Sequence, residues 1–340
     1  MNRRPTIKDI ALELNMSTST VSRALTKHPD VSNETRRAVM ELAERWDYQP
    51  DPLAVGLKQN KTNIIGVIIP QIVNRFFSKA ISGIQEVARA NGYRIMITQS
   101  EESLEIEREN LSTMLNSRVD GLIVSLSKQT SSTDHFKKVF DSELPIVFFD
   151  RVDESHHTSR VIIDDYDASY NAVQHLIGQG CQRVAMVVGP QNLINSKKRY
   201  LGYKDALALN HLVYDEKLLV FTEFQTKQVK EITNYYLNLA ERPDGIFAIN
   251  DAFAIEMISF LIVAGIEIPD DIAIVGFNNE IVSQFVDPPI TSVDSPAYDL
   301  GVEAAKLLLS HIAVENLPAS SKTLKSKLII RKSSLRSPKQ

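Results

Sequence analysis

Apolar residues recur along the chain in two different rhythms. Up to Tyr48 they come every three or four positions: Ile7, Ile10, Ala11 and Leu14, then Val21, Ala24 and Leu25, then Val39, Leu42, Ala43 and Trp46. That period puts each set on one face of a helix and predicts three short helices with no strand. From Asn63 onward, strand-like runs alternate with amphipathic segments. The runs are 64–69 (IIGVII), 93–98, 121–126, 145–150, 160–163, 183–189, 217–221, 245–250 and 272–277. Helices are predicted near 77–91, 103–117, 167–179, 195–210, 226–240, 251–264 and 298–313. Val and Ile runs without strict alternation suit strands covered on both faces, as in a parallel sheet flanked by helices. So many strand–helix units divide most naturally between two sheets.

The helical start carries its own punctuation. Thr6 and Asp9 are spaced as a capping box, Asn15-Met16 interrupts the pattern, and Ser17 can cap a helix over Thr18–Leu25. Val21, Ala24 and Leu25 share the inner face of that helix, while Ser19, Ser22 and Arg23 point outward and Thr18 sits at the exposed first turn. A third helix follows Ser32. A short helix, a tight turn and a second short helix with a polar outer face form a helix-turn-helix, whose second helix enters a DNA major groove. On local pattern alone, a small packing module with no DNA role fits equally well. Asp51-Pro52 opens a further segment, 51–58, too short to persist as an isolated helix and weakened by Gly56; it reads either as a linker or as a segment that orders on docking.

Several runs end in polar or small residues: Asp150, Gly189, Asn250 with Asp251, and Asn278. In open parallel sheets, ligands bind outside the carboxyl ends of the strands, so a small-molecule cleft is expected there. No G-x-G-x-x-G follows the first strand, and neither a P-loop nor a G-x-S-x-G is present, so dinucleotide, NTP and serine-hydrolase chemistry lack their motifs.

Composition adds little to this picture. Of 340 residues, 43% are hydrophobic and 24% charged, and the net charge is −4. Residues 1–62 hold ten Lys/Arg against eight Asp/Glu, and the remainder 28 against 34, a mild basic bias at the start. The start, MNRRPTIKDIALELNMS, lacks the apolar core of a secretory signal, and the single Cys181 excludes an internal disulfide; a cytoplasmic protein is expected. No run approaches the ~20 apolar residues of a membrane span.

The headpiece TIKDIALELNMSTSTVSRAL, with VSNETRRAV and the Tyr48-x-Pro50 step, resembles the LacI/GalR family of transcription regulators. The resemblance continues in order through IIGVIIP, NRFF, RVDGLIV, PIVFFDR, RVAMVVGP, RYLGY, GIFAIND, IPDDIAIVGFNN, DPPITSV and LIIRKS, almost the whole chain. It implies an all-α helix-turn-helix headpiece (1–50), a hinge segment (51–62) and a two-lobed α/β core like that of periplasmic binding proteins. The core would have two Rossmann-like parallel-sheet lobes, 63–163 with 294–323 and 164–293 with 324–340. Thr6, Ser17, Thr18, Ser19, Thr20, Ser22 and Arg23 would contact double-stranded operator DNA. Leu57 would wedge into its minor groove and kink it. A sugar-like effector would lie between the lobes against Phe76, Phe77, Asp150, Arg199, Phe224, Asn250, Asp251 and Asn278. A homodimer would present two headpieces, with no cofactor, metal or membrane involved.

This chain departs from the family pattern in having Asn278 where relatives carry Asp, and Val55-Gly56 where an Arg-Ser pair is common. A periplasmic-type solute-binding protein is the alternative reading, although it would have no use for the headpiece. Catalysis is not expected. Asp164-Asp165 reads as two consecutive strand residues with opposed side chains, and His156-His157 lies in a polar loop without further ligands at a recognisable spacing.

Overall fold

The computed structural model describes residues 5–48, 61–154, 156–225, 227–314 and 316–336. Two compact units divide the chain, one ending at Asn63 and the other beginning at Ile64. Leu57 and the rest of the hinge expectation at 51–60 lie outside the described residues.

The first unit contains helices α1 (Ile7–Glu13), α2 (Thr18–Leu25) and α3 (Asn33–Arg45). Each begins on a side chain that satisfies a free first-turn amide. The amide of Thr6 donates to Asp9 Oδ2 at 2.7 Å and that of Asp9 to Thr6 Oγ1 at 3.4 Å, closing the capping box. Ser17 Oγ accepts from the Thr20 amide and Ser32 Oγ from the Thr35 amide. The turn between α1 and α2 passes through Asn15 at φ 53, a left-handed conformation that Asn tolerates better than most residues. Ile10, Val21, Ala24 and Val39 have no exposed surface and form the small core, ringed by Leu14, Leu25 and Trp46.

The second unit holds two six-stranded sheets. The first contains β1 (Ile64–Ile69), β2 (Arg94–Gln99), β3 (Gly121–Val124), β4 (Ile146–Phe149), β5 (Ser159–Ile163) and β11 (Ser321–Leu324), in the order β11-β5-β4-β3-β1-β2. The second contains β6 (Val184–Val188), β7 (Leu219–Phe221), β8 (Gly245–Phe247), β9 (Ala273–Phe277), β10 (Thr291–Asp294) and β12 (Lys327–Ile329), in the order β12-β10-β9-β8-β6-β7. All neighbours are parallel except β10 and β12. Each lobe therefore repeats one doubly wound order, with its first strand between its second and third. Burial on both faces explains the continuous apolar runs. Val67 and Ile69 enter one core beneath the first sheet, and Ile68 enters another.

The helices that face the sheets are α4 (Arg75–Ala90), α5 (Leu104–Asn116), α7 (Asp165–Gly178), α8 (Ile194–Leu209), α9 (Lys227–Leu237), α10 (Asp251–Val263) and α11 (Ala297–Ala313), with the short α6 (Lys137–Phe140) before β4. The lobes share one packing device. Across the first lobe, α4 meets α11 so closely that a Cβ on Gly83 would fall 2.3 Å from the Tyr298 carbonyl oxygen. In the second, α8 meets α7, and a Cβ on Gly202 would fall 2.3 Å from the Tyr166 carbonyl oxygen. Beside each contact the tyrosine hydroxyl bonds an acid on the partner helix, Tyr298 to Glu86 at 2.6 Å and Tyr166 to Asp205 at 2.8 Å. Backbone contact of this kind requires glycine, because any side chain would push the helices apart.

Three short strands, β10, β11 and β12, are absent from the apolar runs of the sequence. β11 reads SKTL, a polar edge strand, and β12 is only three residues, KLI; both pair with neighbours far away in the chain. Asp164 and Asp165 are corrected as well: they are not strand residues. Asp164 caps α7, accepting from the Asp167 amide at 3.1 Å, and Asp165 is the first residue of that helix.

Candidate functional site

A cleft of about 750 Å³ opens where the strands of both sheets end. β1 leads to Asn74, Phe76 and Phe77; β4 to Asp150 and Arg151; β6 to Gly189 and, on α8, Asn195 and Arg199. β7 leads to Phe224, β8 to Ile249 and Asn250, and β9 to Asn278. Asp150, Phe224 and Asn278 all take positive φ (58, 62 and 91), sharp turns that carry the chain away from the sheet edge.

Of the eight expected effector residues, seven line this cleft: Phe76, Phe77, Asp150, Arg199, Phe224, Asn250 and Asn278. Asp251 does not. It is fully buried behind the wall, accepting from Ser292 Oγ and from the Glu280 amide, both at 2.6 Å. Ser292 Oγ in turn accepts from the Asn279 amide at 3.0 Å. Asp251 thus pins the Asn278-Asn279 turn from behind, and burial pushes its carboxyl up to about 6. The sequence could not separate this role from a ligand contact, since both need an acid at a strand exit.

The aromatic residues also differ from expectation. Phe76 and Phe77 are 8% and 2% exposed and belong to the core under the first sheet, reaching the cleft only at their edges. The Arg151 guanidinium lies 5.7 Å from the Phe77 ring centre and 5.1 Å from that of Phe224, covering both faces. Arg151 went unnoticed in the sequence, although it directly follows Asp150. Its Nη1 donates to Glu102 Oε2 at 2.7 Å, and Glu102 has no sequence signal tying it to residue 151.

Charged groups in the cleft are extensively paired. Arg199 Nε donates to Asp165 Oδ1 at 2.7 Å and Nη1 to the Ile249 carbonyl at 3.3 Å, with the guanidinium stacked 3.5 Å from the Phe277 ring centre. Burial raises the Asp165 carboxyl above its usual range, and Arg199 opposes that rise. Asp150 is pushed up to about 7, chiefly by burial, against the pull of Arg151 beside it. Among the described residues, several contacts at the cleft cross from one lobe to the other. Lys128 Nζ meets Glu223 Oε2 at 3.1 Å, Asn192 Nδ2 donates to the Lys128 carbonyl at 2.6 Å, and Arg151 covers Phe224.

In the first unit, Thr18, Ser19 and Arg23 are exposed on α2, and Thr20 and Ser22 half-buried. Ser17 Oγ hydrogen-bonds with Ser19 Oγ at 2.7 Å and Thr20 Oγ1 at 2.8 Å, a hydroxyl chain along the start of the helix. Thr6 is committed to its capping box, its hydroxyl donating to Asp9 Oδ2 at 2.6 Å. Arg23, the cation from which base contact is expected, projects on the exposed side of this helix.

A capped helix-turn-helix and a two-lobed core of periplasmic-binding-protein-like fold, carried on one chain, define a DNA-binding transcription regulator. Residues 6–51 match the family described as bacterial regulatory proteins, lacI family, and residues 173–334 match the periplasmic binding protein-like domain. Catabolite control protein A of Priestia megaterium is 33% identical over 329 residues, 96% of this chain and 98% of its own length. Among solved structures, the transcriptional regulator CelR–cellobiose complex is similar with a TM-score of 0.73 at 27% identity, over 97% of this chain and 100% of that one. The lac repressor dimer bound to operator and the anti-inducer ONPF shares the fold, with a TM-score of 0.88 at 22% identity over 98% and 100%. The chain belongs to the LacI family of bacterial regulatory proteins. Among the described residues no helix is long and apolar enough to cross a membrane.

Proposed function

We propose that this regulator acts as a repressor, binding double-stranded operator DNA as a homodimer under the control of a sugar-like effector held between the lobes of its core. One observation carries the reading: a helix with an exposed hydroxyl-rich and basic face shares its chain with a cleft ringed by strand exits. On α2, Thr18, Ser19 and Arg23 are assigned to base edges, with Thr20 and Ser22 beside them. Thr6 and Ser17 stand at helix N-termini, where free amides favour phosphate. Leu57 is assigned the minor-groove wedge.

For the effector, a polar lining with aromatic edges suits a hydroxylated ring, and the similar transcriptional regulator CelR was solved as a complex with cellobiose. For the dimer, Ile281, Val282 and Phe285 place apolar side chains on the surface of the core, Phe285 with 77% exposure. A second copy of the same surface is the proposed cover. The inter-lobe contacts at Lys128, Asn192 and Arg151 give the effector its lever. A ligand that binds better with them formed, or better with them broken, shifts the lobes by that difference in affinity and no more.

The test is footprinting and gel-shift titration of the full-length protein against operators selected from random DNA. A near-palindromic site whose affinity falls steeply with salt is expected. Equal affinity for the selected site and its scrambled sequence overturns the reading.

A further inference from the structure

The hydrogen bonds inside the cleft restrict which ligand it can take. Four asparagines line it, and in each the side-chain oxygen is already used by the protein. Asn74 Oδ1 accepts from the Phe76 amide at 3.0 Å, Asn195 Oδ1 from the Ser196 amide at 2.9 Å, and Asn250 Oδ1 from the Phe253 amide at 2.9 Å. Asn278 Oδ1 accepts from Ser295 Oγ at 2.9 Å. Each keeps its whole NH2 group, with no partner among the described residues, beside an oxygen that already holds one hydrogen bond. The asparagines therefore present donors and ask the ligand for oxygen acceptors.

Donors alone would suit an anion, but the charges argue against one. Lys128 is held by Glu223 at 3.1 Å, Arg151 by Glu102 at 2.7 Å and Arg199 by Asp165 at 2.7 Å. A guanidinium grips a phosphate or carboxylate by offering two parallel N–H groups. Arg199 has already committed Nε and Nη1, and Arg151 has committed Nη1 with its face laid over two rings. Among the described lining residues the cations Arg75, Lys128, Arg151 and Arg199 stand with the acids Glu101, Glu102, Glu223 and Glu280, and with Asp150, which burial leaves only partly ionised near neutral pH. An incoming anion would leave water for a site where three of the four lining cations already hold a carboxylate and no surplus of positive charge remains.

We infer that the cleft selects an uncharged, oxygen-rich ligand over the phosphorylated or carboxylated form of the same sugar, with Asn195, Asn250 and Asn278 donating to its oxygens. The inference rests on the carbohydrate reading above and sharpens it. Asn278 is central, because its amide makes this edge of the cleft a donor without adding a charge.

Isothermal titration of the full-length protein tests it, using glucose, ribose and cellobiose beside glucose 6-phosphate, gluconate and ribose 5-phosphate. A neutral sugar is expected to bind at least tenfold more tightly than its charged counterpart. Glu102→Gln keeps the acceptor for Arg151 but removes its countercharge, and should narrow that ratio severalfold, with thermal melting as the check on folding. If a charged sugar binds as well as its neutral form or better, the inference fails and the carbohydrate reading stands. If no sugar binds while operator DNA does, the carbohydrate reading fails and takes the inference with it. An unchanged ratio in Glu102→Gln overturns the charge-cancellation argument even if the neutral sugar wins.

Discussion

Asp150→Asn isolates the cost of burying one carboxylate at the cleft. An aspartate ordinarily titrates near 3.8, and Asp150 is pushed up to about 7, mainly by burial. The folded chain therefore holds this proton more tightly than the unfolded chain. Below about pH 4 the group is protonated in both states and its contribution is fully retained. As pH rises toward 7 the unfolded chain ionises first, stability falls, and the loss is complete once the folded group has ionised. At about 1.4 kcal/mol per tenfold difference in proton affinity, the gap amounts to roughly 4 kcal/mol. Asparagine keeps the shape without the charge, so the variant should be more stable than the parent at pH 8, by roughly 2–4 kcal/mol on that reasoning, and nearly equal to it at pH 4. Urea denaturation across this range is the assay. It should be followed by far-ultraviolet circular dichroism, because Trp46, the chain's only tryptophan, lies in the headpiece. Parallel pH profiles for parent and variant would mean that Asp150 ionises freely, and the burial argument would be refuted.

Three further outcomes follow from the same geometry. Arg199→Ala leaves Asp165 buried without its partner and should cost about 3–5 kcal/mol in urea denaturation, a loss that Asp165→Asn in the same chain should largely restore; additive losses would deny the coupling. Gly83→Ala drives a Cβ into the Tyr298 carbonyl and should cost roughly 1–3 kcal/mol or more, seen as a lower melting temperature of the core. Ser17→Ala removes the cap of α2 and should cost the headpiece about 1 kcal/mol, followed by Trp46 fluorescence, with weaker operator binding in gel shifts.

Where periodicity and local chemistry cooperate, the chain could be read directly. The capping box of Thr6 and Asp9, the cap at Ser17 and the helix Thr18–Leu25 are contacts within four residues, so sequence spacing is also spatial spacing. The main strands announced themselves because strands covered on both faces need apolar side chains at every position. β11 escaped for the opposite reason: an edge strand can be polar, and a partner such as Arg160 for Ser321 is 161 residues away; β12, with three residues, is too short to show a pattern.

The site divides in the same manner. That Asp150, Asn250 and Asn278 stand at strand exits follows from the sequence, since a buried apolar run must end where the sheet meets solvent. Whether an acid at such an exit faces inward or outward depends on donors brought by other elements. Ser292 and the Glu280 amide draw Asp251 behind the wall, whereas Asp150 remains on the cleft. Only the packed lobes could bring Glu102 to Arg151, Asp165 to Arg199 and Glu223 to Lys128, across separations of 49, 34 and 95 residues. Sequence thus determined which chemical groups the chain owns and the local turns that display them. Tertiary packing decided which of those groups cancel each other, because electrostatic pairing depends on distance in space and on burial, and neither can be read from order along a chain.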